Sequence, residues 1–326
     1  MLFTSQAFLI FFLIVYGLYL ILSHRRQNQM LLIASLIFYG SWDWRFVPLL
    51  LLSIAISYYS GLKIDGTDDA AKKWFYLKYS IVLEVALLLV FKYFNFFAEN
   101  VIAGLQAAGF NAHPLTIKVI LPLGISYYTF QAISYSVDVY FEKIKPTRDF
   151  TNFALFKSFF PILFSGPIER ASNLLVQVER PRSITPELLR SGLFLIAWGL
   201  FKKMFIADNI APYVNQIFDN WQNNNAAEAL LGIYGFTLLI YCDFSGYTDM
   251  ARGLGRVMGF QLIPNFNLPF LARNPVDFWR RWHLSLSNWM RDYVHYPVFA
   301  KTRNLYLAAF VCFFINDIWH GANWNV

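Results

Sequence analysis

Long apolar runs alternate with short polar segments along most of this chain. About 20 apolar residues span the hydrocarbon core of a membrane as a helix, and fewer suffice where aromatic side chains reach the interface. The pattern therefore predicts eight membrane-spanning helices. They cover residues 6–22, 30–44, 46–62, 79–97, 117–140, 188–206, 226–243 and 305–320.

Two further stretches fit neither a simple span nor a free loop. Residues 150–168 are apolar, but Pro161, Gly166 and Pro167 interrupt them. Because broken backbone is tolerated at membrane depth only where protein shields it, this stretch is predicted to be re-entrant. Residues 245–303 are too polar to span and too apolar for a free loop. They predict short helices at the membrane interface, including one over residues 276–293.

Composition agrees with a membrane protein. The 326 residues are 57% hydrophobic and only 14% charged, whereas soluble chains carry about 25% charged residues. Both cysteines, Cys242 and Cys312, lie in apolar runs, so neither a disulfide framework nor a thiolate metal site is expected. The five histidines are scattered without an HxxxH pair, and no metal site is predicted from them.

The distribution of basic residues predicts the orientation of the chain. Lys and Arg concentrate after the first, third and fifth predicted spans, whereas residues 98–116 and 207–225 contain neither. Because Lys and Arg favour the cytoplasmic side, the pattern predicts a multi-pass protein with its N-terminus outside. This bias also accounts for the net charge of +7, and no nucleic-acid partner is expected.

A polar stripe runs along the predicted helix at 117–140. Its members follow the i, i+4, i+7, i+8, i+11 spacing of one helical face. Such a stripe either hydrogen-bonds neighbouring helices or lines a cavity, and the sequence leaves both interpretations open. The residues are Tyr127, Gln131, Ser134, Tyr135 and Asp138.

Two more polar groups are candidates for ligand contacts. Asp243 and Tyr247 are i, i+4 neighbours near the end of a predicted span, where a buried carboxylate is either structural or functional. On a continuous helix over 276–293, Arg280, His283 and Ser287 would share one face. A cationic face of this kind suits an anionic, phosphate-bearing ligand.

His320 ends the last predicted span. A histidine there is either a neutral buried residue held by one hydrogen bond or a proton acceptor in a wet recess. Asp317, three residues earlier, either orients the imidazole or disrupts the site.

The chain resembles the membrane-bound O-acyltransferases, and within them a bacterial branch that acts in alginate O-acetylation. The resemblance runs from residue 1 to about residue 324. It is carried by CDFSGYTDMARGLGRVMGF at 242–260, NFNLPFLARNPVDFWRRWHLSLSNWMRDY at 265–293 and WHGANW at 319–324.

The resemblance implies an all-α ring of transmembrane helices around a tunnel, with re-entrant and interfacial helices. His320 matches the catalytic histidine of the family's WHG motif, and His283 matches a second position held by histidine or asparagine. Arg280 and Arg281 are expected to hold the phosphates of an acyl donor such as acetyl-CoA, with no bound cofactor. Expected partners are membrane lipid and periplasmic polysaccharide-acetylation proteins, at a bacterial inner membrane.

The same resemblance predicts a single domain over residues 1–326 that lacks further C-terminal helices, since family members continue after the WHG motif. The expected reaction is transfer of an acetyl group to hydroxyls of an extracytoplasmic polysaccharide such as alginate. Three alternatives stay open: D-alanyl transfer to teichoic acid, a transporter or flippase, and an inactive membrane scaffold.

Overall fold

The computed structural model describes residues 1–111, 113 and 119–321, and each regular element in this part of the chain is a helix. The all-α prediction is confirmed. The α-helices are α1 (Gln6–Ile21), α2 (His24–Asp43), α3 (Val47–Asp65), α4 (Ala70–Ala107), α5 (Ile125–Tyr140), α6 (Phe150–Ser158), α7 (Val176–Glu179), α8 (Pro186–Leu200), α9 (Asp208–Asp219), α10 (Ala226–Val257), α11 (Pro275–Trp279), α12 (Leu284–Met290), α13 (Tyr296–Thr302) and α14 (Leu305–His320).

Shorter helical turns join several of these elements. Single 3₁₀ turns lie at Trp44–Phe46, Trp221–Asn223 and Pro269–Leu271, and wider π-helical turns lie at Ala171–Leu175, Phe201–Ala207 and Arg291–His295. Contacts divide the chain into two compact units, the first comprising residues 1–44 and 154–285 and the second residues 45–153 and 286–326. That residues 1–326 form one domain stays a prediction.

Within the described residues, three helical runs are long and apolar enough to cross a membrane. They are His24–Asp65, Ala70–Ala107 and Ala226–Val257, and the shorter apolar helices Gln6–Ile21 and Leu305–His320 accompany them. The predicted spans at 6–22 and 305–320 match α1 and α14 closely. The predicted start of the fifth span at residue 117 lies outside the described residues, but its end matches the end of α5.

The structure corrects the prediction of only short helices over residues 245–303, because α10 continues to Val257. The helix begins with a capping box in which Asn225 and Glu228 satisfy each other's backbone N–H groups. It ends before Gly259, whose φ of +83° reverses the chain and favours glycine. Hydropathy alone counts the aspartates of α10 against a membrane helix. In the structure, Lys203 neutralises Asp243 and Lys202 neutralises Asp249.

In the first unit, α8 and α10 pack backbone against backbone through glycines. A Cβ at Gly199 would lie 2.5 Å from the carbonyl oxygen of Gly246, and one at Gly253 would lie 2.7 Å from that of Gly192. Both pairs are seven residues apart on their helices, so the two contacts lie on one seam. Small residues allow this close approach, which is a common way for membrane helices to associate.

The stretch at 150–168 contains the predicted break. α6 ends at Ser158, and a turn follows in which Gly166 lies so close to Ile162 that a Cβ on residue 166 would overlap the Cα of Ile162. The side chains of Phe159 and Phe160 in this irregular segment are buried by protein. Such shielding is what broken backbone requires inside a membrane. That the segment is re-entrant stays a prediction.

In the second unit, α3, α4 and α5 pack against one another. Glu84 of α4 is fully buried and accepts hydrogen bonds of 2.7 Å from the hydroxyls of Ser53 and Ser57 of α3. One turn earlier on α4, the hydroxyls of Ser80 and Ser136 lie 2.8 Å apart and join α4 to α5. These polar contacts fix the mutual positions of the three helices.

Candidate functional site

His283 lies at a break in the helix predicted over residues 276–293. Its backbone φ is +42°, in the left-handed region, and it separates α11 from α12. A right-handed helix cannot pass through this conformation. The prediction that Arg280, His283 and Ser287 share one helical face is therefore wrong, because the residues do not belong to one continuous helix.

The imidazole of His283 is 5% exposed and lies against aromatic rings of the first unit. The ring of Phe244 meets it edge to face, with centroids 4.8 Å apart. Phe266 packs against Phe244 at 5.2 Å and against Trp282 at 5.0 Å. These rings keep water from one side of the imidazole, and electrostatic interactions are stronger in such a low-dielectric environment.

A groove of about 580 Å³ lies beside this segment and is lined by three arginines. Arg281 donates from Nε to Asp277 Oδ1 at 2.9 Å, and this hydrogen bond lowers the pKa of Asp277. Arg273 and Arg280 form no ion pair with any residue that the structure describes. The groove therefore presents two guanidinium groups that are available to an anion.

Asp243 and Tyr247 lie together, as their spacing predicted, and both contact Lys203. The Lys203 Nζ is 2.5 Å from Asp243 Oδ1 and 2.7 Å from Asp208 Oδ1. The same ammonium lies 5.6 Å from the centre of the Tyr247 ring. Asp243 is thus a partner of a lysine in this structure, and its contact with a substrate stays a prediction.

A second ion pair lies one residue earlier, at Lys202. Its Nζ is 2.6 Å from Asp249 Oδ2 and donates to Ser245 Oγ at 2.8 Å. Arg252 completes the cluster at 3.3 Å from Asp249 Oδ1. Sequence reasoning missed Lys202 and Lys203 as partners of α10. The available signal was a lysine pair inside a predicted span, which needs acidic partners.

In the second unit, the polar stripe of α5 lies on one helix, and Gln131, Ser134 and Asp138 are buried. Asp138 accepts a hydrogen bond of 2.8 Å from the hydroxyl of Tyr293, and Lys143 Nζ is 3.5 Å from its other oxygen. Of the two interpretations of the polar stripe, these bonds favour contact with neighbouring helices, and not cavity lining, for Asp138. Substrate contacts of Gln131, Asp138 and half-buried Ser287 stay predictions.

His320 is the last residue of α14 and is exposed among the described residues. Its ring meets that of Trp319 with centroids 4.5 Å apart. From α4, the Lys92 ammonium donates to the carbonyl oxygen of Trp319, and the Tyr93 hydroxyl donates to that of Ile318. Because the last carbonyls of a helix lack partners within it, these bonds fix the end that carries His320.

Sequence reasoning missed Lys92 and Tyr93 as well. A lysine within the predicted span at 79–97 was the signal, since an ammonium there needs acceptors. The remainder of the WHGANW motif, residues 322–324, lies outside the described residues. The roles of His320 and His283 in catalysis stay predictions.

Glu169 is a fully buried carboxyl in the first unit and was not among the predicted site residues. Its oxygens accept hydrogen bonds from the backbone N–H of Ile263 at 2.6 Å and from Asn173 Nδ2 at 2.7 Å. Burial raises the pKa of Glu169 to about 7, although these hydrogen bonds and the charge of Arg252 oppose the shift. Glu169 therefore anchors the chain just after α10.

Within residues 1–111, 113 and 119–321, no group of three or more His, Cys, Asp or Glu side chains is placed to hold a metal ion.

Comparison with known proteins identifies relatives of the whole chain. The probable alginate O-acetylase AlgI of Pseudomonas aeruginosa is 38% identical over 336 residues, which cover 100% of this chain and 63% of that protein. The peptidoglycan O-acetyltransferase of Helicobacter pylori is 35% identical over 364 residues, covering 100% of this chain and 67% of that protein. This chain thus spans somewhat less than two thirds of the length of the Pseudomonas protein.

A third relative matches a smaller part of the chain. The teichoic acid D-alanyltransferase of Bacillus subtilis is 32% identical over 211 residues, which cover 61% of this chain and 53% of that protein. The model of the membrane-bound O-acyltransferase family matches residues 142–326. Together with its apolar helices, this match shows that the chain is a membrane protein that belongs to the membrane-bound O-acyltransferase family.

Proposed function

We propose that this chain carries out acyl transfer within a membrane, moving an acetyl group to hydroxyls of an extracytoplasmic polysaccharide. The observation that carries the proposal is the match of the whole chain to proteins named for O-acetylation of two different polysaccharides, alginate and peptidoglycan. The D-alanyltransferases match only 61–62% of the chain. Acetyl is therefore favoured over D-alanyl as the transferred group.

His320 is the proposed general base. It takes the proton of an acceptor hydroxyl as the hydroxyl oxygen attacks the carbonyl carbon of an acetyl thioester. The carbon–sulfur bond breaks, the proton passes to the leaving thiolate, and an ester and a free thiol result. General-base catalysis contributes about 10²–10⁴ in rate, which corresponds to about 3–5 kcal/mol of activation free energy.

The position of His320 at a helix end suits this role. Lys92 and Tyr93 hold the last carbonyl groups of α14, so the backbone that bears the imidazole is fixed before substrate binds. Such preorganisation lowers the entropy that must be lost on reaching the reactive geometry.

The arginine groove supports a phosphate-bearing donor such as acetyl-CoA. Arg273 and Arg280 line the groove and form no ion pair with a described residue, and Arg281 is partly neutralised by Asp277. Guanidinium groups bind phosphate oxygens in pairs of parallel hydrogen bonds. His283, which lies among aromatic rings, is proposed to bind and polarise the donor.

The proposed setting is a bacterial inner membrane, crossed several times by the chain. In this setting the donor comes from the cytoplasm and the acceptor lies outside. Periplasmic polysaccharide-acetylation proteins are the proposed partners that receive the acetyl group or complete its transfer, and membrane lipid surrounds the apolar helices.

The test measures transfer of labelled acetyl from acetyl-CoA to polysaccharide in membranes that contain the full-length gene product. His320→Ala is expected to lose about 10²-fold or more of the rate. His113→Ala is the matched control, since His113 is an exposed histidine in a loop. Equal transfer by the His320→Ala and wild-type proteins would contradict the role of His320.

The same assay separates the alternatives. A transporter or flippase moves substrate without cleaving the thioester, so release of free thiol by the wild-type protein and not by His320→Ala excludes it. If the chain is an inactive scaffold, the His320→Ala and His113→Ala proteins show the same amount of transfer as each other. Incorporation of D-alanine in place of acetyl would overturn the choice of acyl group.

A further inference from the structure

The left-handed backbone at His283 needs an explanation in the surrounding structure. For residues other than glycine, this conformation is unfavourable because it brings Cβ close to the following carbonyl oxygen. It persists only where neighbouring contacts determine it. In the first unit, these contacts come from residues 265–267, which precede His283 by almost twenty positions.

Hydrogen bonds hold the chain on both sides of His283. Ahead of it, the N–H of Asn267 donates to the carbonyl oxygen of Arg281 at 2.9 Å. After it, the N–H of Leu284 donates to the carbonyl oxygen of Asn265 at 2.8 Å, and the N–H of Ser285 donates to Asn265 Oδ1 at 3.3 Å. The last two donors open α12 and have no acceptors within that helix.

Asn265 itself is held firmly. Its residue is 1% exposed, and two positions earlier the N–H of Ile263 is bonded to the buried carboxyl of Glu169. The Oδ1 of Asn265 accepts the hydrogen bond from the N–H of Ser285, whereas its Nδ2 has no hydrogen-bond partner among the described residues. The acceptor oxygen is thus the part of this side chain that the structure uses.

We propose that Asn265 is a positioning residue, whose carbonyl groups clamp the start of α12 and thereby fix the backbone and ring direction of His283. This inference rests on the proposed role of His283 in binding the acyl donor. Asn265 acts through His283, because its own oxygens are occupied by backbone N–H groups. Misplacement of a reacting group by about 1 Å lowers rates by as much as about 10²-fold.

The test compares two leucine substitutions in the same short segment. Asn265→Leu removes the acceptor for the N–H of Ser285. Asn267→Leu is the matched control, because Asn267 is exposed and contributes only backbone groups to the clamp. Asn265→Asp keeps an acceptor oxygen in place and replaces the Nδ2 group, which has no hydrogen-bond partner among the described residues, with a second carboxyl oxygen.

Hydrogen–deuterium exchange of the purified full-length protein measures the protection of the amides that Asn265 holds, without any catalytic assay. Asn265→Leu is expected to speed exchange at the amide of Ser285 at least tenfold, because only this amide donates to the side chain of residue 265, and Asn267→Leu is expected to leave it unchanged. Unchanged exchange in Asn265→Leu overturns the proposal. Acetyl transfer per folded molecule is then measured for each variant, with the folded amount taken from the thermal unfolding signal.

Asn265→Leu is expected to lower kcat/KM for the donor by about 10- to 100-fold, whereas Asn265→Asp retains most of it. In a His283→Asn background, Asn265→Leu is expected to cause little further loss. Three results would overturn the proposal: the losses of kcat/KM from Asn265→Leu and His283→Asn multiply fully in the double variant, Asn265→Asp loses as much as Asn265→Leu, or Asn265→Leu loses nothing. If the wild-type protein transfers no acetyl, the proposed function fails, whereas the exchange result still decides whether Asn265 holds this segment.

Discussion

The glycine seam between α8 and α10 makes a prediction that is independent of activity. Gly199→Ala would place a Cβ 2.5 Å from the carbonyl oxygen of Gly246, 2.7 Å from Met250 Cγ and 2.8 Å from the backbone nitrogen of Met250. Ordinary contacts at such positions are 3.4–4 Å. Two of the three opposing atoms belong to the backbone, so rotation of a side chain cannot relieve the clash.

The helices must therefore separate by about 1 Å, and a gap of that size forfeits a quarter to a half of each dispersion contact along the seam. Overpacking of this kind costs about 1–3 kcal/mol. Alanine returns up to about 1 kcal/mol through its better helix propensity. We expect Gly199→Ala to lower the free energy of unfolding by about 1–2 kcal/mol.

The matched control is Gly17→Ala in α1, where no atom lies within 4 Å of the added Cβ. Thermal unfolding of the detergent-solubilised proteins, followed by circular dichroism, compares the variants under identical conditions. At about 2–4 °C per kcal/mol, Gly199→Ala should unfold several degrees below the wild-type protein. Gly17→Ala should unfold at the same temperature or slightly above it. A Gly199→Ala protein as stable as Gly17→Ala would refute the close packing of α8 and α10.

Three further predictions concern buried polar groups. The folded-state pKa of Glu169 is about 7, above its ordinary value of 4.5, so the folded state binds this proton more tightly than the unfolded state does. The free energy of unfolding should therefore fall by roughly 3 kcal/mol as pH rises from about 4.5 to 7. Glu169→Gln should remove this pH dependence in urea unfolding. Asp249→Asn leaves the buried Lys202 ammonium without its carboxylate and should lower the free energy of unfolding by about 3–5 kcal/mol, whereas adding Lys202→Met should recover most of the loss. Tyr293→Phe removes the hydrogen bond to Asp138 and should cost about 1.5–3 kcal/mol, measured by the same thermal assay, and an unchanged midpoint would show that the bond contributes nothing.

The helical fold was predictable because the membrane limits the choice of backbone. A long apolar run in lipid must satisfy its own N–H and C=O groups, and a helix does so within one segment. Polar residues flank α1 and α14, so the ends of the apolar runs coincide with the ends of these helices. The placement of Asp243 and Tyr247 on one face of α10, where both contact Lys203, was also predictable, since i, i+4 neighbours share a helical face.

The full length of α10 was not predictable from local hydropathy. Asp243 and Asp249 count as charges in an apolar environment unless their partners are known. Those partners, Lys203 and Lys202, lie about forty residues earlier and are brought to α10 by a π-helical turn. The cost of burying a charge depends on such tertiary contacts, which a window of neighbouring residues does not contain.

The break at His283 was hidden for a related reason. The residues from Arg280 to His283 include neither glycine nor proline, and their helical period continues across the break. Hydrogen bonds that Asn265 accepts from Leu284 and Ser285, and one that Asn267 donates to Arg281, replace those of a continuous helix. The candidate residue was identified from its motif, but its surroundings required the structure.

The backbone at position 283 also limits which amino acids evolution can place there, before any question of chemistry arises. Asparagine, aspartate and histidine enter the left-handed region more readily than other residues with a side chain, and β-branched residues are nearly excluded from it. Histidine and asparagine are the two residues that the resemblance places at this position. Histidine and asparagine can thus replace each other because both tolerate this backbone conformation. An engineered valine or isoleucine at 283 would destabilise the fold.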